Sequence, residues 1–376
     1  MGKTSAKKRA AGGGGATAGG ESSAVAAAAG AAGGALQPSR EELLIAAANE
    51  HEMMNFPEAI ALYKSVIEQT PNDVAVIDAL GELLLEVGDA DNASHLFKRS
   101  IQLSPEDNPG KYMYLGQICE GQEAVELFER GIKIMEREYE AMLAGSTAGA
   151  VGGGRAPAAA AGGAAAGGGM EEELAQHRSG LCSAYCSIAE VLLLDAADSE
   201  EIHERCRVAL AAAQRWDETS PEPHQGLANL HLGRGEAEAS LAALQQSLRL
   251  TEAFADDPVR RPSFGFRMGN AKLLLELGRW SDAVASFEAL MREENEDVEL
   301  WYMLALSQGL GGDAEAARDC LQQALALLDR DGDDADTSGQ LRGQVLAALD
   351  ELESMPPGTD AGDAAGADAM DADDLS

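Results

Sequence analysis

Along most of the chain apolar residues recur at steps of three and four, the spacing that places them on one face of an α-helix. These stretches come in pairs joined by short turns rich in Gly, Pro, Asn and Asp. Residues 41–71 and 72–105 each hold two. Tyr112, Leu115-Gly116, Ala124 and Phe128 mark a third pair whose first helix is about one turn short. Residues 174–194 read as one long apolar helix, and 200–217 as its partner, with Ala209 as its small position and Thr219-Ser220-Pro221 as its stop. A fifth pair spans 222–250, with Leu227, Leu230, Ala239 and Ala243. A sixth carries Leu274, Gly278, Ala283 and Phe287, and a seventh Trp301, Leu304-Ala305, Gly312, Ala317 and Ala324. A last amphipathic helix over 338–354, with Leu341, Val345, Leu349 and Leu352, is expected to cap the open end of the stack.

The pairs repeat. Ala59, Tyr63 and Pro71 are followed 34 residues on by Ala93, Phe97 and Pro105, and Ala283 to Ala317 is again 34. The small residue lets two antiparallel helices approach closely. The aromatic four residues later lies on the same helical face and packs against the next pair, and the proline stops the second helix. This period and spacing resemble the tetratricopeptide repeat. The fold expected is all-α: a solenoid of about seven helix pairs plus a C-terminal capping helix, spanning residues 38–354.

Composition agrees with helix, because the chain is rich in Ala and Leu while aromatics are 4%. It also marks three segments expected to lie outside the fold. Residues 1–37 are Ala and Gly with a short basic cluster (Lys3, Lys7, Lys8, Arg9). Residues 144–169 are an Ala/Gly insert. Residues 355–376 are an acidic tail. Such segments bury too little apolar surface to offset chain entropy. The net charge of −36 excludes the basic footprint of a nucleic-acid binder. No run of eighteen apolar residues offers a membrane span, and the Ala/Gly start lacks the leucine-rich core of a secretion signal. Five cysteines, an odd number with no CxxC pair, suggest reduced thiols of the cytosol or nucleus.

Candidate chemistry is sparse. His51-Glu52 lacks a second His at zinc-protease spacing, since position 55 is Asn. His224 and His231 are seven apart and have no nearby carboxylate or Cys partner in the sequence. Cys182 and Cys186 share one helical face, but Leu181, Tyr185 and Ile188 around them favour core packing over a metal. Glycines 12–15 do not sit between a strand and a helix, so they form no phosphate loop. Asp331, Asp333, Asp334 and Asp336 crowd one loop without the Gly and Glu of an EF-hand. No nucleophile–base pair stands out. The expectation is a protein with no catalytic residues, no metal and no cofactor.

What remains is surface. Asp78, Glu82 and Glu86, four apart, form one stripe on a first helix, and repeat register turns it to the groove. Glu120 and Glu123 lie near the same line in the next repeat. An ordinary solubilising face explains any single one of these residues. The stripe together with the net charge favours a groove that attracts a basic partner, with the acidic tail adding to the steering. Two binding functions compete. One is a holder of a very basic protein, such as a ribosomal protein or histone. The other is a co-chaperone or scaffold adaptor gripping the acidic C-terminus of a heat-shock chaperone. The adaptor grip uses Lys, Arg and Asn, whereas the register-equivalent positions here hold Leu44, Ala48, Asp78 and Glu82.

Three further stretches carry a resemblance. They are Tyr112-Met-Tyr-Leu-Gly116 with Gly131-Ile132 downstream, Leu181-Cys-Ser-Ala-Tyr-Cys-Ser-Ile-Ala-Glu190, and Cys206 with Trp216-Asp217 before Pro221. Together they resemble the dedicated assembly chaperones of ribosomal protein L4, a fungal, algal and plant tetratricopeptide family, over roughly 40–354. The resemblance implies a protein that binds newly made L4, shields its long basic internal loop and accompanies it into the nucleus for large-subunit assembly. It adds Tyr185 and Glu190, on the motif helix, to the partner-binding residues. It further implies residence in both cytoplasm and nucleus, with Lys7-Lys8-Arg9 as an import signal read by a nuclear import receptor. No direct contact with nucleic acid or membrane is expected. The long Ala/Gly insert and the Ala/Gly-rich N-terminus depart from the family.

Overall fold

In most pairs the second helix buries a small residue and, four positions further on, a large side chain. The computed structural model describes residues 38–151, 165–194, 199–331 and 336–354, which form fifteen helices and no strand. The chain divides into two compact units at Leu103 and Ser104.

The first unit holds α1 (Arg40–Glu52), α2 (Phe56–Gln69), α3 (Val74–Glu86) and α4 (Ala90–Leu103). Ser39 starts α1 with a capping box. Its hydroxyl accepts from Glu42 N, and the Glu42 carboxylate accepts from Ser39 N at 2.8 Å. The core includes Phe56, Val66, Ile77, Leu83 and Phe97, each at most 4% exposed.

The second unit holds α5 (Gly110–Ile118), α6 (Gly121–Val151), α7 (Ala165–Leu194), α8 (Glu200–Trp216), α9 (Glu222–Gly233), α10 (Ala237–Ala253), α11 (Phe264–Glu276), α12 (Trp280–Met291), α13 (Val298–Leu310), α14 (Ala314–Asp331) and α15 (Asp336–Ser354). One core cluster runs through Phe128, Leu181, Cys182, Cys186, Cys206 and Leu210. Another runs through Leu244, Met268, Phe287, Leu304 and Leu321 to Val345 of α15. Val345 is fully buried, so α15 does cover the last pair; burying such a side chain contributes about 1.5–3 kcal/mol.

The repeat register is tight. Ala59/Tyr63, Ala93/Phe97, Ala124/Phe128, Ala283/Phe287 and Ala317/Leu321 are all buried. At Gly81 a Cβ would lie 2.8 Å from the Phe97 ring, and at Gly116 2.9 Å from the Phe128 ring, so only glycine admits these aromatics. Two small positions differ from those the sequence suggested. In the fourth pair Cys206, not Ala209, occupies the register position with Leu210 four on. In the fifth it is Ser240, not Ala239, with Leu244 four on, and Ala239 stays half-buried. Hydrogen bonds let these polar atoms sit there: Cys206 Sγ donates to Ala189 O at 3.8 Å and Ser240 Oγ to Ala228 O at 2.8 Å.

The turn inside the first, second, fifth, sixth and seventh pairs follows one pattern. Gly88, Gly235, Gly278 and Gly312 have positive φ, and the next residue donates its N–H back five positions, as Asp89 does to Leu84 O at 2.8 Å. In the first pair Met54 holds this position, with φ +60.

Helices α6 and α7 run further into the Ala/Gly insert than the composition suggests, to Val151 and from Ala165. Alanine is the best helix former, and the packed portions of both helices supply the nucleus from which they extend. Residues 152–164, the 1–37 and 355–376 tails, and the 332–335 part of the Asp-rich loop lie outside the described residues.

Candidate functional site

On α3 the acidic stripe is only partly surface. Glu82 and Glu86 are exposed, but Asp78 is buried at 4%, against the expectation that it faces a partner. Its helix is apolar on nearly every side: Val76, Ile77, Leu80, Leu83 and Leu84 are buried with it, so little of that face remains open. Glu86 Oε2 lies 2.8 Å from His51 Nε2 of α1, which ties the first helices of two successive pairs. Partial burial and then the neighbouring Asp78 raise the Glu82 carboxyl above its ordinary value, while His51 opposes the shift. Glu82 in turn adds to burial in raising the Tyr63 phenol.

In the second unit Glu120 and Glu123 are exposed, but they lie in the turn before α6 and on its first turn. Neither sits on the first helix of a pair, because α5 ends at Ile118. Tyr185 and Glu190 part company. Five residues separate them on α7, which turns them to different faces. The Tyr185 hydroxyl donates to Glu136 Oε1 of α6 at 3.0 Å, and burial first, then this bond, push its phenol up to about 12. Tyr185 lines an open groove of about 460 Å³ between α6, α7 and α8. Its apolar lining includes Ile132, Ile188 and Leu192 with the exposed Val208, and its charged lining carries both signs, among them Glu129, Lys133, Glu204 and Arg215.

Glu190 lies instead beside Glu222, on the first turn of α9. Its side chain keeps solvent access, yet the surrounding protein desolvates it. This burial, with the Glu222 charge, raises the Glu190 carboxyl. Burial also raises Glu222 and Asp217 adds to it, while a hydrogen bond with Ser183 opposes them. Here the first helices of two successive pairs bring Glu190 and Glu222 together, and Asp217, the C-cap of α8, adds a third carboxylate beside Glu222. Sequence reading missed Glu222 and Asp217, because the cluster assembles across helices more than 25 residues apart and its members share no spacing.

The other candidates are structural. His231 does find a carboxylate, Glu236 Oε2 at 2.6 Å from Nδ1, beyond the turn that ends its helix. His224 has its Nδ1 3.4 Å from Gln214 Nε2, and burial followed by Arg249 lowers its pKa. Cys182 and Cys186 are core side chains, 1% and 6% exposed. Among the described residues no group of three His, Cys, Asp or Glu side chains is placed to hold a metal ion, and no helix is long and apolar enough to cross a membrane.

Comparison with known proteins places this geometry. The family profile described as "Tetratricopeptide repeat" matches residues 298–327. A curated Schizosaccharomyces pombe protein named "Probable assembly chaperone of rpl4" is 26% identical over 254 residues, covering 66% of this chain and 67% of that protein. An Emericella nidulans protein of the same name is 23% identical over 244 residues, and the match spans 54% of its length and 62% of this chain. Among solved structures, "Assembly Chaperone of RpL4 (Acl4) (Residues 1-338)" superposes with a TM-score of 0.63 at 22% identity, covering 74% of this chain and 98% of that one. A tetratricopeptide repeat protein from Parabacteroides merdae superposes at 0.50 with 13% identity, covering 82% of this chain and 98% of that one. The chain is an all-α protein of the tetratricopeptide-repeat fold, similar in sequence to curated proteins named as probable assembly chaperones of rpl4.

Proposed function

We propose that this protein is a dedicated chaperone of newly made ribosomal protein L4. The observation that carries this is the similarity to two proteins named for that task, spread over about two thirds of the chain. The acidic surface supplies a physical mechanism. Each unit has acidic side chains of its own, Glu82 and Glu86 on α3 in the first and Glu190 with Glu222 on α7 and α9 in the second, and either set offers a basic extension the negative charge it otherwise finds on rRNA phosphates. Steering by a chain of net charge −36 makes capture fast and salt-sensitive. rRNA, with its denser phosphates, then competes the client away. In this reading the complex passes from cytoplasm to nucleus, with an import receptor as a further partner. Tetratricopeptide helices and chaperone relatives speak for binding rather than catalysis. The adaptor reading is disfavoured, since exposed carboxylates at these positions repel an acidic C-terminus.

The test uses the full chain with purified L4 at low and moderate salt. Tight binding that weakens as salt rises is expected. Glu82→Lys with Glu86→Lys should weaken it about tenfold or more while leaving the helix content intact. Asp78 is kept, because a lysine at this buried position would disrupt the core. No binding to L4 at low salt, or capture of a heat-shock chaperone instead, would overturn the proposal. Unchanged affinity in the double variant would remove α3 from the site.

A further inference from the structure

The loop joining α10 to α11 is longer than the turns inside the pairs, and it carries Asp257-Pro258-Val259-Arg260-Arg261-Pro262-Ser263. It projects into solvent: Val259 is 91% exposed, and Arg260, Arg261 and Ser263 are all exposed. Ser263 is the N-cap of α11, with extended backbone (φ −56, ψ 158), and its oxygen accepts from Phe266 N at 3.2 Å. An accessible hydroxyl therefore follows two guanidinium groups by two and three residues, in a segment that is neither helix nor strand. Basophilic protein kinases select substrates by such charge patterns, their carboxylates pairing with guanidiniums upstream of the acceptor.

We propose that Ser263 is a phosphorylation site for a basophilic serine/threonine kinase using Mg-ATP. Ser263 Oγ attacks the γ-phosphorus, and a new O–P bond forms as the bond to the β–γ bridging oxygen breaks. ADP leaves, and the hydroxyl proton passes to the kinase's catalytic base. The fold itself discriminates between acceptors: Ser100, which follows Lys98-Arg99, is fully buried on α4.

The surroundings give the modification a consequence. Arg267 donates from Nε to Pro262 O at 3.0 Å, next to the acceptor residue. Its two Nη atoms bind Glu293 at 2.6 and 2.8 Å, and Arg261 binds the same carboxylate at 2.5 Å. A phosphate on Ser263 brings nearly two negative charges to a helix start beside both arginines, so it competes with Glu293 for them. The loop then exchanges its tie to the turn after α12 for one to its own phosphate.

The experiment incubates the native full chain with the catalytic subunit of cyclic-AMP-dependent protein kinase and Mg-ATP, and maps phosphate by tandem mass spectrometry. One phosphate on Ser263 is expected. It should be lost in Ser263→Asn, which keeps a capping oxygen, and the initial rate should fall about a hundredfold in the Arg260→Ala/Arg261→Ala variant. No incorporation into the native chain, incorporation only after heat unfolding, or labelling that persists in Ser263→Asn would each overturn the proposal.

Discussion

Ser240 donates its hydroxyl to the carbonyl oxygen of Ala228, 2.8 Å away across the α9–α10 pair. Alanine fills the equivalent position in five other pairs, and the Ala228 carbonyl keeps its place in the ladder of its own helix. Ser240→Ala should therefore cost about 1 kcal/mol or less. Ser240→Leu forces a larger side chain between two helices in contact and should cost about 1–3 kcal/mol or more. Denaturant midpoints of the two variants check this. Equal losses would mean that the position does not set the helix spacing.

Met54 occupies the left-handed turn position that glycine holds in the second, fifth, sixth and seventh pairs, and its side chain is 64% exposed. Met54→Gly removes backbone strain and gives up little packing. It should stabilise the first unit by about 1 kcal/mol. A thermal midpoint lower than that of the parent would contradict the strain.

Glu190 and Glu222 both titrate above the ordinary carboxylate range, chiefly through burial. The folded chain thus holds these protons more tightly than the unfolded chain. The stability they contribute is complete below the ordinary carboxylate pKa and is lost as pH rises through the raised folded values. At neutral pH the ionised pair works against folding. Glu190→Gln with Glu222→Gln should raise the melting temperature there, and the gain should shrink as the pH approaches 4.5, the ordinary glutamate value. Melting curves across that range decide it; a gain independent of pH would point to packing rather than charge.

The thiols of the central core should be inert. Cys182, Cys186 and Cys206 are at most 6% exposed. The contact with Cys182 and burial raise the Cys186 thiol, and burial pushes Cys206 up to about 11. Iodoacetamide at neutral pH should leave all three unmodified in the native protein and alkylate them in denaturant, as read by mass spectrometry. Rapid labelling of native Cys206 would show that α7 and α8 separate readily.

The helix pairs and their register were legible wherever alanine and an aromatic mark them, as at Ala59/Tyr63, Ala93/Phe97 and Ala283/Phe287. In the fourth and fifth pairs the helices were legible but their register escaped, because Cys206 and Ser240 stand where alanine is expected. The link preceding Cys206 is also longer: 17 residues separate Ala189 from Cys206, against 12 from Ala228 to Ser240. For the candidate site, a spacing of four showed that Asp78, Glu82 and Glu86 share a face. It does not show how much of that face another helix covers, and burial of Asp78 is a property of the packing. Glu222, with Asp217 nearby at the end of α8, joins Glu190 only through the stacking of α7 and α9, a relation between residues distant in sequence.

α15 gives the array a direction. Exposed apolar helix faces at the end of a repeat stack act as templates on which another copy can continue the stack. Val345 is turned inward, while Gln344, Asp350 and Glu351 are exposed on α15 together with Leu346, so one large apolar side chain remains on this outer surface. In the proposed role as a holder of basic clients, a chain that does not stack on itself stays available when many copies crowd around newly made chains. The covered face of the last pair thus offers a second copy less apolar surface to extend, and in that role the negatively charged side chains are left to clients.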